Sequence, residues 1–315
     1  MSLQLNQRAA GLCDLLVENA AALRIKVRHA GAVRMLDLGI EMPGGLEAGR
    51  RMAEVCMAGL GQVRIVPGDP ELSTGPAVMV VTDQPVAACM ASQYAGWEIK
   101  GEDYFAMGSG PMRAAAGREA LFESIGCQEE AENAVGVLET GSFPPEPVCR
   151  QLADDCGVAH HRLTLLVAPT NSQAGNLQIV ARSIETALHK LHELQFDLSR
   201  VESAWGLAPL PPVGGDPLSG IGRTNDAILY GGQVVLYVRG DDDSLASIGP
   251  RIPSISSAAH GRPFKELFAA HDHDFYKIDP LLFSPAVVEL VNLDTGRVHR
   301  HGKLAPRVLK KSFSN

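Results

Sequence analysis

The feature that most constrains the fold is a helical pattern over residues 176–195. Apolar residues recur there at steps of three and four, which is the spacing of one buried stripe on a helix. The stripe consists of Leu177, Val180, Ile184, Leu188 and Leu191. A helix with one apolar stripe must bury it, so this segment faces a core.

A pair of opposite charges lies on a neighbouring side of this helix. Arg182 and Glu185 are three residues apart, and Gln178 and His189 project from the same side. These four side chains could border one cleft. A solvated surface ion pair is the common alternative, because exposed pairs are frequent and stabilise a protein only weakly. The spacing alone therefore does not assign a site.

Length and composition limit the classes of protein to consider. The chain has 315 residues, enough for two ordinary domains or one large one, and its formal net charge is −8. It has no long basic run, which argues against nucleic-acid binding. No window approaches the roughly twenty apolar residues of a membrane span, and the first residues lack the pattern of a signal peptide. We expect a cytoplasmic protein that binds neither nucleic acid nor membrane.

The order of segments indicates a mixed α/β protein. Residues 163–169 read as a buried strand, and a loop then leads into the helix at 176–195. Prolines and glycines dominate residues 205–220, which predicts a crossing or domain-linking loop. We predict two α/β domains, the first over residues 1–195 and carrying this helix, the second over 196–315. The six cysteines lack any CxxC spacing, so we expect free thiols.

A glycine turn ahead of a helix is the second notable feature. Gly108, Ser109 and Gly110 follow a short strand, Pro111 opens the predicted helix, and Arg113 lies in its first turn. Free N–H groups at such a terminus could bind an anion. The spacing is neither GxGxxG nor a P-loop, so a plain strand-to-helix turn is an equal alternative.

A helix rich in small residues is predicted over residues 85–97. Its polar residues, Ser92, Gln93 and Tyr94, cluster at one end. Small residues allow a backbone or a ligand to approach closely. Tight helix packing with incidental polar side chains is the alternative interpretation.

Metal and nucleophile sites lack their signatures in this chain. Residues 271–274, with the sequence HDHD, contain ligand types, and so do the histidines at 160, 161, 189 and 192. None has the spacing HExxH, and the deaminase pattern is absent. No GxSxG motif is present either. We therefore predict no catalytic metal and no acyl-serine mechanism.

Six segments, taken together and in this order, resemble methenyltetrahydromethanopterin cyclohydrolases. They are SQYAGW, DYFAMGSGPMRA, LLVAPT, IVARSIETALHKL, RTNDAILYGG and DFYKID. The resemblance implies hydrolysis of a 5,10-methenyl bridge on a tetrahydropterin carrier to the 5-formyl product, in one-carbon metabolism, without a metal or redox cofactor. It also implies two α/β domains with the substrate cleft between them, and a homotrimer.

The resemblance also implies roles for individual residues. The catalytic arginine and glutamate of the family fall on Arg182 and Glu185. Substrate-binding positions fall on Gln93, Tyr94, Gly108, Ser109, Gly110, Arg113, Thr224, Asn225 and Asp226. Archaeal members can carry lysine where this chain has Tyr94, which implies a carrier without the terminal phosphate.

The expected chemistry requires a water molecule, a base and ring opening. The methenyl carbon is an electrophilic amidinium centre, so Glu185 suits the role of general base. Arg182 would orient this carboxylate and stabilise the developing oxyanion. Two alternatives stay open: the same chemistry on a folate carrier, and a non-catalytic pterin-binding protein. Folate cyclohydrolases resemble a dinucleotide-binding architecture, and no GxGxxG follows a strand here.

Overall fold

The structure, a computed structural model, describes residues 3–272, 274 and 277–314. The chain divides into two compact units. The first contains Met1–Gly61 and Ala87–Gln178, and the second contains Gln62–Val86 and Ile179–Asn315. Each unit combines one mixed sheet with helices, so the predicted α/β class with two domains is confirmed. Within the described ranges, no helix has the length and apolar character needed to cross a membrane.

The strands of the described residues are numbered in chain order. They are β1 (Lys26–Ala30), β2 (Val33–Asp37), β3 (Gly61–Val66), β4 (Ala77–Thr82), β5 (Trp97–Lys100), β6 (Phe105–Ser109), β7 (Ala134–Glu139), β8 (Leu163–Ala168), β9 (Val201–Pro209), β10 (Gln233–Val238), β11 (Val287–Asn292) and β12 (Val298–Gly302).

The α-helices are numbered in the same way. They are α1 (Leu5–Glu18), α2 (Ala20–Leu23), α3 (Leu46–Cys56), α4 (Met112–Ala116), α5 (Leu121–Ile125), α6 (Glu146–Asp155), α7 (Gln173–Val180), α8 (Ser183–Glu193), α9 (Pro217–Gly231), α10 (Asp242–Ile248), α11 (Phe264–Ala270) and α12 (Pro306–Ser314). A π-helix covers Val86–Gln93.

The sheet of the first unit is covered on both faces. Its strand order is β1-β2-β8-β7-β6-β5, with β2, β8 and β7 parallel and the outer pairs antiparallel. Every residue of β8 is buried, as predicted from its apolar run. Leu165 and Val167 join the core beneath α6, whereas Leu166 and Ala168 join the core beneath α1 and α3. Such central parallel strands lack an exposed face, which explains their continuous apolar sequence.

The second unit has its own six-stranded sheet, in the order β12-β11-β10-β9-β4-β3. Strands β10 and β11 are parallel, and β9 pairs antiparallel with both β10 and β4. Helices α9, α11 and α12 share an apolar core that includes Tyr230, Phe264 and Leu309. This core and the sheet stabilise the part of the second unit that follows residue 178.

The observed units differ from the predicted domains 1–195 and 196–315. Strand β4 pairs with β9, from Ala77 opposite Pro209 to Thr82 opposite Ala204, so residues 62–86 belong with the later part of the chain. Helix α8 also lies in the second unit. Pairing between strands about 120 residues apart leaves no local trace in a sequence, because only turns and periodicity are readable there.

Two further predictions differ from the structure in detail. Strand β9 runs to Pro209, so the predicted loop at 205–220 begins as a strand. The predicted helix after Pro111 is two short helices, α4 and α5, because Gly117 adopts the left-handed conformation with φ of 57° and ends α4. All six cysteines are free, as predicted.

The buried carboxyl group of Asp226, on α9, caps the start of helix α11. The backbone N–H of Phe264 donates to Asp226 Oδ1 at 2.8 Å, which caps the first turn of α11. Burial raises the pKa of Asp226 from 3.8 to about 7, although the Ser312 hydroxyl and the Phe264 N–H lower it, and the charge of Glu266 raises it further. The folded chain therefore holds a proton on Asp226 more tightly than the unfolded chain does.

Asp226→Asn should weaken the pH dependence of stability. Because the pKa is raised on folding, the contribution of Asp226 is present below its ordinary pKa of 3.8 and is lost as the pH rises through about 7. Asparagine keeps the oxygen acceptor but carries no charge. Between about pH 5 and about pH 8, the unfolding free energy should fall less in the variant than in the wild type, by on the order of 1 kcal/mol or more.

Urea unfolding at the two pH values measures this difference. Equal pH dependence in the two proteins would show that Asp226 does not titrate in this range.

Candidate active site

The predicted helix at 176–195 is interrupted at Ala181 and Arg182. Helix α7 ends at Val180, and α8 begins at Ser183 with Arg182 as its N-cap residue. The Arg182 N–H donates to the carbonyl of Ile179 at 3.0 Å, three residues back, so the chain tightens there. The prediction of one continuous helix was thus wrong. The predicted apolar stripe is confirmed, since all five of its side chains are buried.

The interruption places Glu185 in the first turn of a new helix. Backbone N–H groups of a first turn have no partner within the helix, and the positive end of the helix dipole lies there. Both features stabilise a carboxylate. The carbonyl of Arg182 accepts the first α8 hydrogen bond, from Thr186 N–H at 2.9 Å.

Arg182 and Glu185 are buried. Their exposed fractions are 6% and 4%, so they do not form a solvated surface pair. Taking a charge out of water costs free energy, which only well-aligned partners offset. Burial of both side chains at the start of a helix therefore requires surroundings that compensate for the lost contact with water.

Two contacts within the second unit fix α8. A Cβ atom on Gly206 of β9 would lie 2.5 Å from Ser183 Oγ and 2.9 Å from Ile184 Cγ1, so only glycine lets the helix start pack this closely. Further along α8, buried Lys190 donates to Ser256 Oγ at 3.2 Å and to the carbonyl of Leu281.

The charge on Lys190 is also affected by this environment. Burial lowers the pKa of Lys190 to about 8, while the charge of Asp279 raises it and that of Arg251 lowers it.

The two other polar residues predicted beside Arg182 and Glu185 lie in different units. Gln178 lies in the first unit, where its amide donates to Glu139 Oε1 at 3.1 Å. His189 lies on α8, with Nε2 3.7 Å from Glu193 Oε1.

Gln93 and Tyr94 lie at the end of the π-helix. The predicted small-residue helix exists, but its hydrogen bonds span five residues, as in the bond from Tyr94 N–H to the carbonyl of Cys89 at 2.8 Å. Gln93 is buried, and Tyr94 is half-buried. π-helical segments are rare and are frequent at functional sites.

The glycine turn is explained by contacts within the protein. Gly110 has φ of 93°, and a Cβ atom there would lie 3.1 Å from the Val135 carbonyl oxygen and 3.2 Å from Val137 N. Its N–H donates to the carbonyl of Ser92 at 2.8 Å, so this amide is already engaged. At Gly108 a Cβ atom would lie 2.6 Å from Ile99 Cδ1.

The hydroxyl of Ser109 is also engaged, donating to the Val137 carbonyl at 3.3 Å. The turn is therefore built by packing and backbone hydrogen bonds, and it joins the π-helix to β6 and β7.

Arg113 is fully buried and bound within the first unit. Its guanidinium donates twice to Glu119, from Nε to Oε1 at 2.8 Å and from Nη2 to Oε2 at 2.6 Å. Nη1 donates to the carbonyls of Met90 at 2.8 Å and Ser92 at 3.5 Å. Sequence reasoning missed Glu119, because no regular spacing relates it to Arg113 across the bend at Gly117.

Thr224, Asn225 and Asp226 lie in the middle of α9. The Thr224 hydroxyl donates to the carbonyl of Gly220 at 2.9 Å, and the Asn225 amide donates to that of Ile221 at 2.9 Å. Asp226 caps α11. Thr224 and Asp226 are buried and serve the second unit internally, whereas Asn225 is half-buried.

In the ranges 3–272, 274 and 277–314, no cluster of three or more histidine, cysteine, aspartate or glutamate side chains could hold a metal ion. His273 of the HDHD segment and residues 275 and 276 of the DFYKID segment lie outside the described residues.

Comparison with known proteins gives one consistent result. The family described as Cyclohydrolase (MCH) matches residues 4–313. A methenyltetrahydromethanopterin cyclohydrolase of Rhodopirellula baltica is 48% identical over 312 residues, covering 97% of this chain and 94% of that protein. The enzyme of the same name from Methylobacillus flagellatus is 46% identical, covering 98% and 94%.

An archaeal relative is similar over the whole length as well. The methenyltetrahydromethanopterin cyclohydrolase of Methanocaldococcus jannaschii is 40% identical over 317 residues, covering 99% of this chain and 98% of that protein. The match thus includes both units and every candidate residue. This chain belongs to the methenyltetrahydromethanopterin cyclohydrolase family.

Proposed function

We propose that the protein hydrolyses the 5,10-methenyl bridge of a tetrahydromethanopterin-type carrier to the 5-formyl derivative. The observation that carries this proposal is the buried Arg182 and Glu185 pair at the start of α8, in a chain that matches the cyclohydrolase family from residue 4 to residue 313. The relatives named above bear the name of this reaction.

The reaction has a simple balance of bonds and protons. A water oxygen bonds to the methenyl carbon of the cationic amidinium, and Glu185 takes a proton from this water. The hydroxyl now on the carbon then loses its proton to form the formyl C=O, the bond from the carbon to N10 breaks, N10 gains one proton, and the formyl group stays on N5. The net change is addition of one water and release of one proton. Glu185 can return its proton to N10 or to solvent.

Burial supports the role of Glu185. Glu185 lies in the first turn of α8, where the positive end of the helix dipole favours a carboxylate, and it is only 4% exposed. Arg182, at the N-cap position, orients the carboxylate and stabilises negative charge that develops on the attacking oxygen. The contact of α8 with Gly206 keeps this helix start from shifting.

We further propose that Gln93 and Tyr94 contact the carrier, with the glycine turn at Gly108–Gly110 behind them. Tyr94 carries no positive charge, which suits a carrier that lacks the terminal phosphate. Among Thr224, Asn225 and Asp226, half-buried Asn225 is the most accessible to a ligand, since the other two are buried. We also propose that the protein assembles as a homotrimer and is located in the cytoplasm.

The purified protein should hydrolyse methenyl carriers in the order dephosphotetrahydromethanopterin, tetrahydromethanopterin, tetrahydrofolate. Loss of the methenyl absorbance measures kcat/KM for each. A preference for the folate carrier would support the folate alternative, and binding of the pterin without turnover would support the non-catalytic one.

Glu185→Gln should lower kcat by about a hundred- to ten-thousandfold, because glutamine keeps the size and hydrogen bonding of glutamate but cannot take a proton. The dissociation constant of the carrier should change much less. Arg182→Ala should also be slow, and the double variant should lose less than the product of the two single losses, since the residues act as a unit.

Glu193→Gln, on the exposed end of α8, is the matched control and should keep wild-type turnover. A Glu185→Gln enzyme within a few-fold of wild type would remove Glu185 from the chemistry.

Exhaustive chelation should leave turnover intact. The amidinium carbon is already electrophilic and its positive charge is neutralised on attack, so a Lewis acid offers little further activation. Steady-state rates before and after treatment with a strong chelator test this. Activity that disappears and returns with zinc would contradict it.

A further inference from the structure

Arg113 has no assigned role in the proposed chemistry, although it is the largest fully buried side chain of the described residues. Its resemblance-based role is substrate binding. The observed hydrogen bonds take Nε and Nη2 to Glu119 and Nη1 to two main-chain carbonyls. A guanidinium has five N–H donors, so at most one is left for any other group.

The contacts of Arg113 converge on the end of the π-helix. Met90 and Ser92, whose carbonyls accept from Nη1, lie within the last four residues of this helix. The terminal carbonyls of a helix lack donors within the helix, and Arg113 supplies a donor to two of them. The Ser92 carbonyl also accepts the Gly110 N–H at 2.8 Å.

The guanidinium also contacts aromatic rings. It lies 4.9 Å from the ring centroid of Tyr94 and 5.5 Å from that of Phe122. Cations at such distances are attracted to the face of a ring, and burial strengthens the attraction. Thus Arg113 restrains Tyr94 by contacting its ring. It restrains Gln93 by donating to the carbonyl of the preceding residue, Ser92.

Stability alone is a poor explanation for this arrangement. Burying an Arg–Glu pair costs desolvation free energy, and apolar residues of similar volume often stabilise a protein as well or better. A bidentate pair is, however, geometrically specific, because both partners are planar and both hydrogen bonds must align. Such a pair is suited to fixing an uncommon backbone conformation.

We propose that Arg113, oriented by Glu119, is a positioning residue that holds Gln93 and Tyr94 in the conformation that binds the carrier. This inference rests on the proposed function for the contact of those two side chains with the carrier. Arg113 itself does not touch the substrate.

The test is a double-mutant cycle with Arg113→Lys. Lysine keeps the charge but cannot make the bidentate contact and the carbonyl contacts together. KM for the methenyl carrier should rise about tenfold, which corresponds to loss of about one strong hydrogen bond, whereas kcat should stay within about threefold. In a Gln93→Ala, Tyr94→Ala background the same change should add less than about twofold, because Arg113 acts through these residues.

Two outcomes would overturn the proposal. A full tenfold effect in the Gln93→Ala, Tyr94→Ala background would mean that Arg113 contacts the carrier directly. A lowered melting temperature with an unchanged KM would mean that the pair is only structural. Glu119→Gln keeps the shape of the side chain but weakens its contact with Arg113, so it should also raise KM. This variant replaces Arg113→Lys in the test if Arg113→Lys does not fold.

Arg150→Lys is the matched control. Arg150 also pairs with a glutamate, Glu146, at 3.0 Å, but its side chain is 50% exposed. This variant should match the wild type.

Hydrogen exchange separates this inference from the proposed function. Amides of residues 86–96 should exchange faster in Arg113→Lys than in the wild type, whether or not the protein turns over a methenyl carrier. Wild-type protein without hydrolysis would refute the proposed function alone. Unchanged exchange in this segment would refute the positioning role alone.

Discussion

Burial of two opposite charges at one helix start is the constraint on which the account of this protein depends. Arg182 and Glu185 are almost inaccessible, and such a pair is costly unless its surroundings are fixed. The chain fixes them by ending α7, beginning α8 at Ser183 and packing that start against Gly206. Lys190 ties the same helix to the turns at Ser256 and Leu281.

The two units build their polar positions by the same physical means. In each, a buried ionisable side chain satisfies backbone groups at the end of a short element. Arg113 donates to carbonyls at the end of the π-helix, and Asp226 accepts from the first N–H of α11. These contacts position the backbone of segments that local propensity alone would leave undetermined.

Sequence reasoning succeeded where periodicity is strong. The five-residue stripe at 177–191 is buried, β8 is a buried strand, and the α/β class follows from the order of such elements. It failed where the deciding contact is distant. The break at Arg182 has no proline or glycine to mark it, and the pairing of β4 with β9 joins segments that no local pattern connects.

The candidate residues divide in the same way. Helical spacing placed Arg182 and Glu185 together, but whether they were surface or buried depended on tertiary packing. The glycine turn suggested an anion site. In the structure, Gly110 has a positive φ and packs closely against the backbone of β7. The partner of Arg113, Glu119, could not be predicted, because it lies beyond a bend at Gly117 that the sequence presented as a continuous helix.

The most direct test of the central claim is a crystal structure of the Glu185→Gln variant with the methenyl carrier bound. We predict an ordered water that hydrogen-bonds to the side chain of residue 185 and lies about 3–3.5 Å from the methenyl carbon, in line for attack. A carrier whose methenyl carbon lies far from residue 185, with its nearest water held by another group, would contradict the assignment of Glu185 as the general base.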